Sequence, residues 1–448
     1  MARPMFVYDF WWQVMPDTSI EQIQSCGVVG AGGAGFPTHV KLNAQADVII
    51  LNAAECEPLL HKDKEMLRAF PDRIIAGLEQ GRQLVGAAEA VIGIKYKYQD
   101  VIDILKPKLP PTMRIAELAD SYPTGDEFIL VYDVTGRIIP PGKIPLAVGA
   151  VVMNVETAYN VAGGVPVTQK FLTVAGAVAE PVTVSVPIGV TFREVIALAG
   201  GATVEDYDVL VGGVMMGRLA GSLDEVVTKT TGGLIVLPSD HRLVARYKRE
   251  WTDISRIGAS CCDQCSFCTE LCPRYLLGHP IEPHKAMRSL VYSEVGEANV
   301  IGTQFCCECN LCTMVSCPED LDPKNVCVQN KQRLMAEGNR WEVAAVENRP
   351  KLHMDNRRTP LKRLITKLGL TVFRNTGPLI SDGCAPKRVR VPLQQHIGAP
   401  AEPVVATGDQ VAVGDVIARP AEGKLGAVIH ASIAGTVSSA KDALVIEA

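Results

Sequence analysis

Two sets of closely spaced cysteines are the residues of this 448-residue chain best suited to chemistry. The first set precedes Pro273 and has the spacing C-x2-C-x2-C-x3-C: Cys262, Cys265, Cys268 and Cys272. The second set precedes Pro318 and has one extra residue before its last member: Cys306, Cys309, Cys312 and Cys317. Three cysteines separated from one another by two intervening residues can surround one face of a cubane, while the fourth reaches a neighbouring cluster in two-cluster ferredoxins. The spacing predicts two 4Fe-4S clusters.

Cross-ligation of the ferredoxin type would divide these cysteines between the two clusters. If it applies, the first cluster takes three cysteines of the first set and the last of the second: Cys262, Cys265, Cys268 and Cys317. The other cluster takes the remaining four: Cys306, Cys309, Cys312 and Cys272. Zinc is the alternative metal, but zinc modules use two C-x2-C pairs separated by a longer loop rather than three cysteines in tandem.

Six further cysteines lie outside the two motifs. Three of them adjoin or follow the motifs, and their roles stay open: Cys261, Cys307 and Cys327. The x2 spacing favours Cys262 and Cys306 as ligands over their immediate neighbours. The other three are interpreted as small buried apolar side chains rather than ligands: Cys26, Cys56 and Cys384.

A glycine-rich stretch, GVVGAGGAGFPTHVKL at residues 27–42, contains three glycines in the spacing G-x-G-x-x-G: Gly30, Gly32 and Gly35. This spacing marks a dinucleotide-binding loop only where a strand precedes it and a helix follows. The preceding DTSIEQIQSCG instead has a capping box at Thr18 and Glu21 and isoleucines three apart, which predicts a helix. The glycines can still let backbone N–H groups approach a phosphate or a flavin.

The two predicted clusters need a source of single electrons. A hydride donor gives two electrons at once, so a flavin is the natural converter, and we expect it in the glycine-rich stretch. No catalytic side chain is predicted, because the redox chemistry belongs to the cofactors while the protein positions and tunes them.

The elements that must position these residues follow from the pattern of apolar residues. The short runs VIILNAA, AVIGIKY and MRIAEL alternate with helical stretches such as DRIIAGLEQGRQLVGAAEA, which predicts a largely parallel sheet. KFLTVAGAV and VTVSVPIG predict a hairpin, and the next helix has a capping box at Thr191 and Glu194. Residues 239–260 are charged and are interpreted as a connector. The glycine-separated short strands of residues 385–448 predict a small barrel or sandwich.

Composition limits the functional classes. A net charge of -5 and an isoelectric point near 6.0 argue against binding to nucleic acid. No run approaches the ~18 consecutive apolar residues of a membrane-spanning helix, and the initial MARPMFVYDFWWQV lacks the regions of a secretory signal. A cytoplasmic location is therefore expected, where fourteen cysteines point to metal binding rather than disulfides.

Four short motifs occur in one order between residues 30 and 157: GAGGAGFPT, NAAECEP, YPTGDE and NVET. In that order they resemble the FMN- and NADH-binding motifs of the flavin subunit of respiratory complex I and of the related C subunit of the Rnf complex. The resemblance implies an FMN site formed by these motifs and one lysine: Gly30, Gly32, Gly33, Gly35, Lys41, Asn52, Glu55, Tyr122, Gly125, Asp126, Asn154 and Thr157. It implies NADH stacking near Phe36 and contacting Glu57 and Glu127.

The sequence departs from the complex I pattern at two positions. That pattern has an acidic residue at the place of Ala54 and a second asparagine at the place of Met153, so the flavin contacts there must differ. Outside the context of the motifs, four acidic residues would be interpreted as ordinary solvated carboxylates: Glu55, Glu57, Asp126 and Glu127.

Nearly the whole chain from Gly27 onward is similar to the cobalamin reductase family of bacterial propanediol-utilisation microcompartments, including LVGGVMMG, KTTGGLIVLP, KRLITKLGL and QQHIGAP. The resemblance implies a multidomain α/β fold with these units in order: an N-terminal extension (1–19), a Rossmann-like FMN/NADH-binding domain of the complex I type (20–168), a β-grasp SLBB domain (169–240), a helical ferredoxin-like domain with two 4Fe-4S clusters (250–345), a basic linker and helix (346–384), and a barrel-sandwich hybrid domain (385–448). Within the β-grasp domain, Met215 and Met216 are interpreted as core rather than cofactor contacts. The last domain resembles lipoyl carriers, but GAVIHASIAG has no lysine where a carrier needs one, so we expect no acyl carrier.

The family implies electron transfer from NADH to FMN, to the two clusters and then to an acceptor. The preferred acceptor is oxidised cobalamin, returned to cob(I)alamin for coenzyme B12 recycling in 1,2-propanediol degradation, within or beside a microcompartment. The partners would be cobalamin, a cobalamin adenosyltransferase and a shell protein. The N-terminal extension either packs as an aromatic-rich arm or docks on such a partner.

Two other hypotheses stay open. The chain is alternatively a soluble relay of the Rnf C type that reduces flavodoxin or ferredoxin for a glycyl-radical activating enzyme. The basic stretch 356–367 suits such an acidic carrier, or is simply a solvated amphipathic helix. A third hypothesis makes the β-grasp unit a sensor or scaffold, which would leave eight correctly spaced cysteines without a use. The sequence does not determine the oligomeric state.

Overall fold

The computed structural model describes residues 18–292, 297–341, 349–381, 383–440 and 442–448. Most of the predicted N-terminal extension (1–19) and part of the predicted linker (346–384) therefore lie outside the described residues. The first unit alternates helices and strands: α1 (Ile20–Ser25), α2 (Thr38–Leu42), β1 (Val48–Ala53), α3 (Lys62–Ala69), α4 (Pro71–Leu84), β2 (Glu89–Lys95), α5 (Gln99–Leu105), β3 (Met113–Leu118), β4 (Ser121–Tyr122), α6 (Glu127–Thr135), β5 (Ala150–Asn154) and α7 (Val155–Gly163).

Four of these strands form a parallel sheet in the order β3-β2-β1-β5, as the sequence predicts. Ile49 and Leu51 of β1 face the core shared with α4 and α7, whereas Val48 and Ile50 face the core shared with α6. Burial on both faces explains the uninterrupted apolar run of this strand. The helices α4 and α7 pack so closely that a Cβ on Gly77 would lie 1.9 Å from a carbonyl oxygen of α7.

The helix predicted before the glycine-rich stretch is α1, but the predicted capping box is wrong by one residue. Its N-cap is Ser19, whose Oγ accepts a hydrogen bond from Gln22 N at 3.2 Å. Thr18 is buried and the first helical residue is Ile20, so only the hydroxyl of Ser19 stands in the capping position.

The second unit is a mixed five-stranded sheet covered by one helix: β6 (Gln169–Gly176), β7 (Val182–Pro187), α8 (Phe192–Leu198), β8 (Tyr207–Val211), β9 (Arg218–Leu219) and β10 (Gly233–Pro238). The strand order is β7-β6-β10-β8-β9, with β6 and β10 parallel and the other pairs antiparallel. The predicted hairpin is β6–β7, and the capping box at Thr191 and Glu194 is present at the start of α8. Both local predictions are confirmed.

The third unit is helical and carries the cysteine motifs: α9 (Arg242–Tyr247), α10 (Trp251–Cys261), α11 (Phe267–Glu270), α12 (Pro273–Leu276), α13 (Pro283–Arg288), α14 (Glu297–Val300) and α15 (Pro323–Ala336). The interpretation of residues 239–260 as a connector is wrong, because α9 and α10 occupy most of them. Leu243 and Val244 of α9 and Ile254 of α10 are buried in separate cores. The stretch was predicted as a connector because charged residues outnumber these few apolar ones in its sequence.

The last elements are β11 (Thr359–Pro360), α16 (Leu361–Lys367), β12 (Arg388–Pro392), β13 (Ala401–Pro403), β14 (Gln410–Val411), β15 (Val416–Pro420), β16 (Ile429–His430), β17 (Gly435–Ala440) and β18 (Ala443–Glu447). The helix α16 buries Leu361 and Leu364 on one face, so the predicted amphipathic helix is present. Strands β12 to β18 form two antiparallel sheets, as expected for a sandwich. Within the part of the chain that the structure describes, no helix is long and apolar enough to cross a membrane.

Candidate flavin and iron–sulfur site

The glycine-rich loop between α1 and α2 folds back on itself as a narrow hairpin. Gly30 N donates a hydrogen bond to Phe36 O at 2.9 Å, and Val29 and Pro37 form an isolated bridge. Gly33 has a φ of +118°, which L side chains rarely adopt. A Cβ at Gly33 would meet no atom within 4 Å, so the tip of the loop presents open backbone. This open backbone fits a bound phosphate or flavin.

The loop lies over the carboxyl ends of β1 and β5. Ala31 N donates to Thr157 Oγ1 at 3.0 Å, and a Cβ on Gly32 would lie 3.5 Å from Asn154 Cβ. Asn154 ends β5 and caps α7, accepting a hydrogen bond from Glu156 N at 3.0 Å. Because β1 has β2 on one side and β5 on the other, this edge is a topological switch point, where ligands bind in open α/β sheets.

The second and third motifs are held together beside the loop. Asn52 Nδ2 donates to Gly125 O at 2.8 Å, and a Cβ on Gly125 would lie only 2.8 Å from Ala54 O. Lys41 Nζ donates to Val152 O at 3.0 Å and lies 3.7 Å from Glu127 Oε1. All four motifs therefore converge at one edge of the parallel sheet.

Most acidic side chains of the motifs accept hydrogen bonds and are shielded from solvent. Glu55 accepts from Glu57 N at 2.9 Å, and burial, reinforced by the charge of Asp63, raises the pKa of Glu55. Asp126 caps α6 and accepts from Arg274 at 2.9 Å, with both side chains almost fully buried. The side chain of Glu127 is 39% exposed and lies 3.7 Å from Lys41, so it stays partly solvated. The interpretation as ordinary solvated carboxylates therefore does not describe Glu55 and Asp126.

Glu57 joins the flavin-binding unit to the β-grasp unit. Its carboxylate oxygens accept hydrogen bonds from Met215 N at 2.9 Å and Met216 N at 2.8 Å. Burial raises the pKa of Glu57 to about 8. Met215 is buried, as predicted, but Met216 is 51% exposed, so its interpretation as core is wrong.

We expect Glu57→Ala to destabilise the protein by about 1–3 kcal/mol, because it leaves two backbone N–H groups without acceptors. The loss should appear as a lower denaturant midpoint for unfolding of the β-grasp unit. The transition is followed by the fluorescence of a label attached near Met216. Glu57→Gln retains one acceptor oxygen and should lose less than half of the free energy of unfolding that Glu57→Ala loses. Equal losses in both variants would contradict this role for the acceptor.

A buried network beneath the loop was missed by sequence reasoning. Lys62 Nζ lies 2.9 Å from both Asp63 Oδ1 and Glu156 Oε2, and Lys170 Nζ contacts the same Glu156 oxygen. Glu156 Oε1 accepts from Phe171 N at 3.1 Å, while Asp63 Oδ2 accepts from the side chain of the predicted FMN residue Asn154 at 2.8 Å. The only signal in the sequence was the place of Glu156 within NVET.

Lys95 is a second residue that sequence reasoning missed. It ends β2, its side chain is fully buried, and its Nζ lies 3.4 Å from Asp120 Oδ1. Burial lowers its pKa, while Cys56 and Asp120 favour the charged form. Nothing in the apolar run AVIGIKY distinguishes this lysine from a solvated one.

The two cysteine loops have the same backbone conformation. Positive φ angles occur at the second and fourth residues after Cys262 and after Cys306: Gln264 (57°), Ser266 (64°), Glu308 (60°) and Asn310 (66°). Positive φ is uncommon outside glycine, so four such residues in matching positions indicate one shared loop geometry. In this geometry Cys306, not Cys307, is the counterpart of Cys262.

The first loop and the end of the second surround one small cavity, and the cysteines that line it are Cys262, Cys265, Cys268 and Cys317. These are the four that cross-ligation assigns to the first cluster. Among the described residues, no three His, Cys, Asp or Glu side chains are spaced to hold a single metal ion. A cavity bordered by four thiols fits a polynuclear cluster.

The four cysteines that cross-ligation assigns to the other cluster, here called the internal set, are buried more deeply. Cys272, Cys309 and Cys312 are buried and Cys306 is half-buried. Burial raises the pKa of Cys312, and the neighbouring thiols of Cys306 and Cys272 raise it further. Bound iron would reverse this effect, because a coordinating thiol is deprotonated outright. The surplus Cys327 lies on α15 and hydrogen-bonds with Cys306.

The internal set of cysteines lies directly against the flavin-binding unit. Tyr122 is 1% exposed, and its hydroxyl donates to Cys309 O at 2.8 Å. Arg274, two residues after Cys272, pairs with Asp126 and stacks 3.4 Å from the centre of the Phe128 ring. The four cysteines that line the cavity, here called the surface set, are less enclosed, with Cys265 exposed and Cys262 and Cys317 half-buried. One cysteine set is therefore internal and the other is at the surface.

Four family models match the chain in the order of its structural units: the Nuo51 FMN-binding domain (23–163), the SLBB domain (171–219), the 4Fe-4S dicluster domain (261–322) and the RnfC barrel sandwich hybrid domain (375–448). The chain is 43% identical to cobalamin reductase PduS of Salmonella typhimurium over 94% of both chains. It is 44% identical to cobalamin reductase PduS of Citrobacter freundii over 93% of both. The chain belongs to the PduS family.

Membership in the PduS family confirms the predicted order of domains and the predicted cofactors, FMN, NADH and two 4Fe-4S clusters. The C subunit of the Na(+)-translocating ferredoxin:NAD(+) oxidoreductase complex of Acetobacterium woodii is 34% identical over 58% of both chains, which confirms the resemblance to Rnf. The domain boundaries and the individual ligand assignments stay predictions.

Proposed function

We propose that this chain is an NADH-dependent flavin and iron–sulfur oxidoreductase that reduces cobalamin to cob(I)alamin for coenzyme B12 recycling. The contact that carries the proposal is the hydrogen bond from Tyr122 to Cys309 O, because it joins the flavin-binding edge to the buried cysteine set. Exposed Cys265 lies in the other set, at the surface. When bound, FMN takes an electron pair from NADH, and the clusters carry single electrons.

The residues of the sheet edge suit the task of holding a flavin. The backbone of Gly32 and Gly33 offers N–H groups to a phosphate, while Gly30, whose N–H donates to Phe36 O, and Gly35 are proposed to shape the loop around it. The residues proposed around the rest of the flavin are Lys41, Asn52, Glu55, Tyr122, Gly125, Asp126, Asn154 and Thr157. Phe36, Glu57 and Glu127 are proposed to contact NADH, with Glu57 also holding the β-grasp unit.

The cysteines suit two clusters with cross-ligation. The cavity supports a surface cluster on Cys262, Cys265, Cys268 and Cys317. Burial and mutual proximity support an internal cluster on Cys272, Cys306, Cys309 and Cys312. We propose that the acceptor approaches the surface set, where Cys265 and the ring of Phe267 are exposed.

The chemistry of the product suggests the partners. Cob(I)alamin is consumed by alkylation, so a cobalamin adenosyltransferase is the partner that would take it over. The resemblance to the propanediol-utilisation family supports a place within or beside a microcompartment, with a shell protein as a further partner. The aromatic-rich segment that precedes Thr18 is the proposed docking element.

A second candidate function is a relay that reduces flavodoxin or ferredoxin. The observation in its favour is α16, whose buried Leu364 shares a core with Leu311 of the second cysteine loop. The opposite side of this helix exposes Lys362 and Arg363. Exposed basic side chains next to the internal cysteine set suit an acidic carrier protein.

One experiment separates the two functions. Anaerobic holoprotein is mixed with NADH and cob(II)alamin in the presence of an alkylating trap, and the corrinoid spectrum is followed beside a parallel reaction with flavodoxin. We expect rapid formation of alkylcobalamin. Fast reduction of flavodoxin with an inert corrinoid would overturn cobalamin reduction and favour the relay.

A further inference from the structure

The glycine-rich loop contacts two units that lie outside the residues matched by the FMN-binding model. One contact is the Thr228–Thr231 turn that precedes β10 in the β-grasp unit. The other is the segment 395–397 between β12 and β13 in the C-terminal sandwich. Neither is part of the four flavin motifs.

Lys229 joins three units at the base of the loop. Its side chain is buried, and its Nζ donates hydrogen bonds to Gly27 O at 2.7 Å and to Val428 O at 2.8 Å. A Cβ on Gly27 would lie 2.7 Å from that Nζ and 2.2 Å from Val428 O. Among the ion pairs of the described residues, none includes Lys229. Burial lowers the pKa of Lys229 to about 7. Two carbonyl oxygens from two different units therefore hold a buried amino group that would be costly to bury without hydrogen bonds.

The C-terminal sandwich also contacts the loop near its tip. Ile397 N donates to Ala34 O at 3.4 Å, and Gln395 Oε1 accepts from Lys229 N at 3.1 Å. A Cβ on Gly35 would lie 2.5 Å from His396 Cβ and 2.6 Å from Thr230 Cγ2. Only glycine allows the loop, the β-grasp turn and the C-terminal segment to approach this closely.

Val428, whose carbonyl accepts from Lys229, belongs to a recognisable stretch of the C-terminal sandwich. It lies in GAVIHASIAG, the stretch in which a lipoyl-type carrier would need an exposed lysine. Here the same stretch turns inward, Val428 is buried, and its carbonyl accepts from Lys229. The sandwich therefore faces the flavin-binding unit with the stretch that a carrier would expose.

We propose that the C-terminal sandwich is a structural part of the flavin site, and that Lys229 is a positioning residue that holds the glycine-rich loop in its cofactor-binding shape. The proposal rests on the proposed flavin site at this loop. Two backbone bonds close the loop, from Gly30 N to Phe36 O and from Thr38 N to Val28 O, and its position against the other units depends on the contacts with Thr157, Lys229 and segment 395–397. Loss of the Lys229 bonds releases Gly27 from the β-grasp and C-terminal units while leaving the sheet edge intact.

The test uses the full-length chain with its clusters, stripped of flavin and titrated with FMN while flavin fluorescence is followed. We expect Lys229→Met to raise the dissociation constant of FMN about tenfold, because two buried hydrogen bonds are lost. The iron content should not change. The matched control is Lys387→Met, an exposed lysine of the same sandwich, which should bind FMN as the unaltered chain does.

A second readout separates positioning from general stability. Saturating FMN raises the unfolding temperature by an amount set by its affinity. Lys229→Met should reduce this increase, whereas a merely structural role would lower the unfolding temperature equally with and without FMN. If Lys229→Met does not fold, Gln395→Ala and Thr230→Ala decide, because the first removes the acceptor of Lys229 N and the second removes the methyl group beside Gly35. Each should weaken FMN binding about threefold, as expected for one lost contact.

The outcomes are distinguishable. FMN affinity within twofold of the unaltered chain in folded Lys229→Met, or in both substitute variants, would overturn the role of the sandwich. Absence of FMN binding by the unaltered chain would overturn the proposed flavin site itself. Weaker binding in Lys229→Met but not in Lys387→Met is the result that supports the proposal.

Discussion

Replacing Cys265 with alanine is expected to abolish reduction of the acceptor while NADH still reduces the bound flavin. Cys265 lines the cavity of the surface cysteine set but lies far along the chain from the four flavin motifs. A 4Fe-4S cluster that loses one thiolate ligand is expected to be lost or damaged, so the variant should contain about four fewer iron atoms per chain. Because Cys265 is exposed, its removal creates no cavity in the apolar core.

The measurement is a pair of anaerobic assays on one preparation. Bleaching of the flavin absorbance by NADH should occur at the unaltered rate, whereas formation of alkylcobalamin should fall to background. The control is Cys261→Ala, since Cys261 is also exposed, adjoins Cys262 and lies outside the shared loop geometry. This control should keep its iron and its activity. Full acceptor reduction by Cys265→Ala would remove the surface cluster from the path.

Glu156→Gln is expected to lower the free energy of unfolding by about 3–5 kcal/mol, the usual cost of removing one partner of a buried ion pair. The carboxylate is 1% exposed and lies between the ammonium groups of Lys62 and Lys170. Its removal leaves two positive charges close together with only Asp63 to balance them. The measurement is the urea midpoint of the far-UV circular dichroism, with the flavin content of the same preparation determined separately.

The control for this prediction is the double variant Glu156→Gln/Lys170→Met. It removes a negative and a positive charge together, so it should be more stable than Glu156→Gln alone. A double variant that is less stable than the single one would contradict the assigned role of the network. Loss of flavin without a change in the urea midpoint would place Glu156 in direct contact with the cofactor instead.

The same residue gives the network a dependence on pH. Burial disfavours the Glu156 carboxylate, but Lys170 and Lys62 outweigh it and hold the pKa below its ordinary value. A lowered pKa in the folded state contributes stability above the unfolded pKa of about 4.3, and this contribution is lost as the pH falls through the folded value. Below about pH 4 the unaltered chain should therefore lose more stability than Glu156→Gln does.

Several elements could be predicted from the sequence because their causes are local. The cysteine spacing is imposed by the shape of a cluster and is written in a few consecutive residues. The capping box at Thr191 joins residues three apart, and the apolar run of β1 reflects burial on both faces of a parallel sheet. Local prediction failed where two neighbouring residues could both cap, at Thr18 and Ser19, and where short helices carry few apolar residues, at 239–260.

What the sequence by itself determined is the set of groups that do chemistry: eight cysteines in two motifs, and four flavin motifs in one order. Only the tertiary structure decided which polar residues support them. Lys229 and Gly27 are 202 residues apart, and Lys62 and Glu156 are 94 apart, yet each pair is hydrogen-bonded in the interior. A lysine that is buried and one that is solvated look the same in the sequence, because burial depends on long-range packing rather than on neighbouring residues.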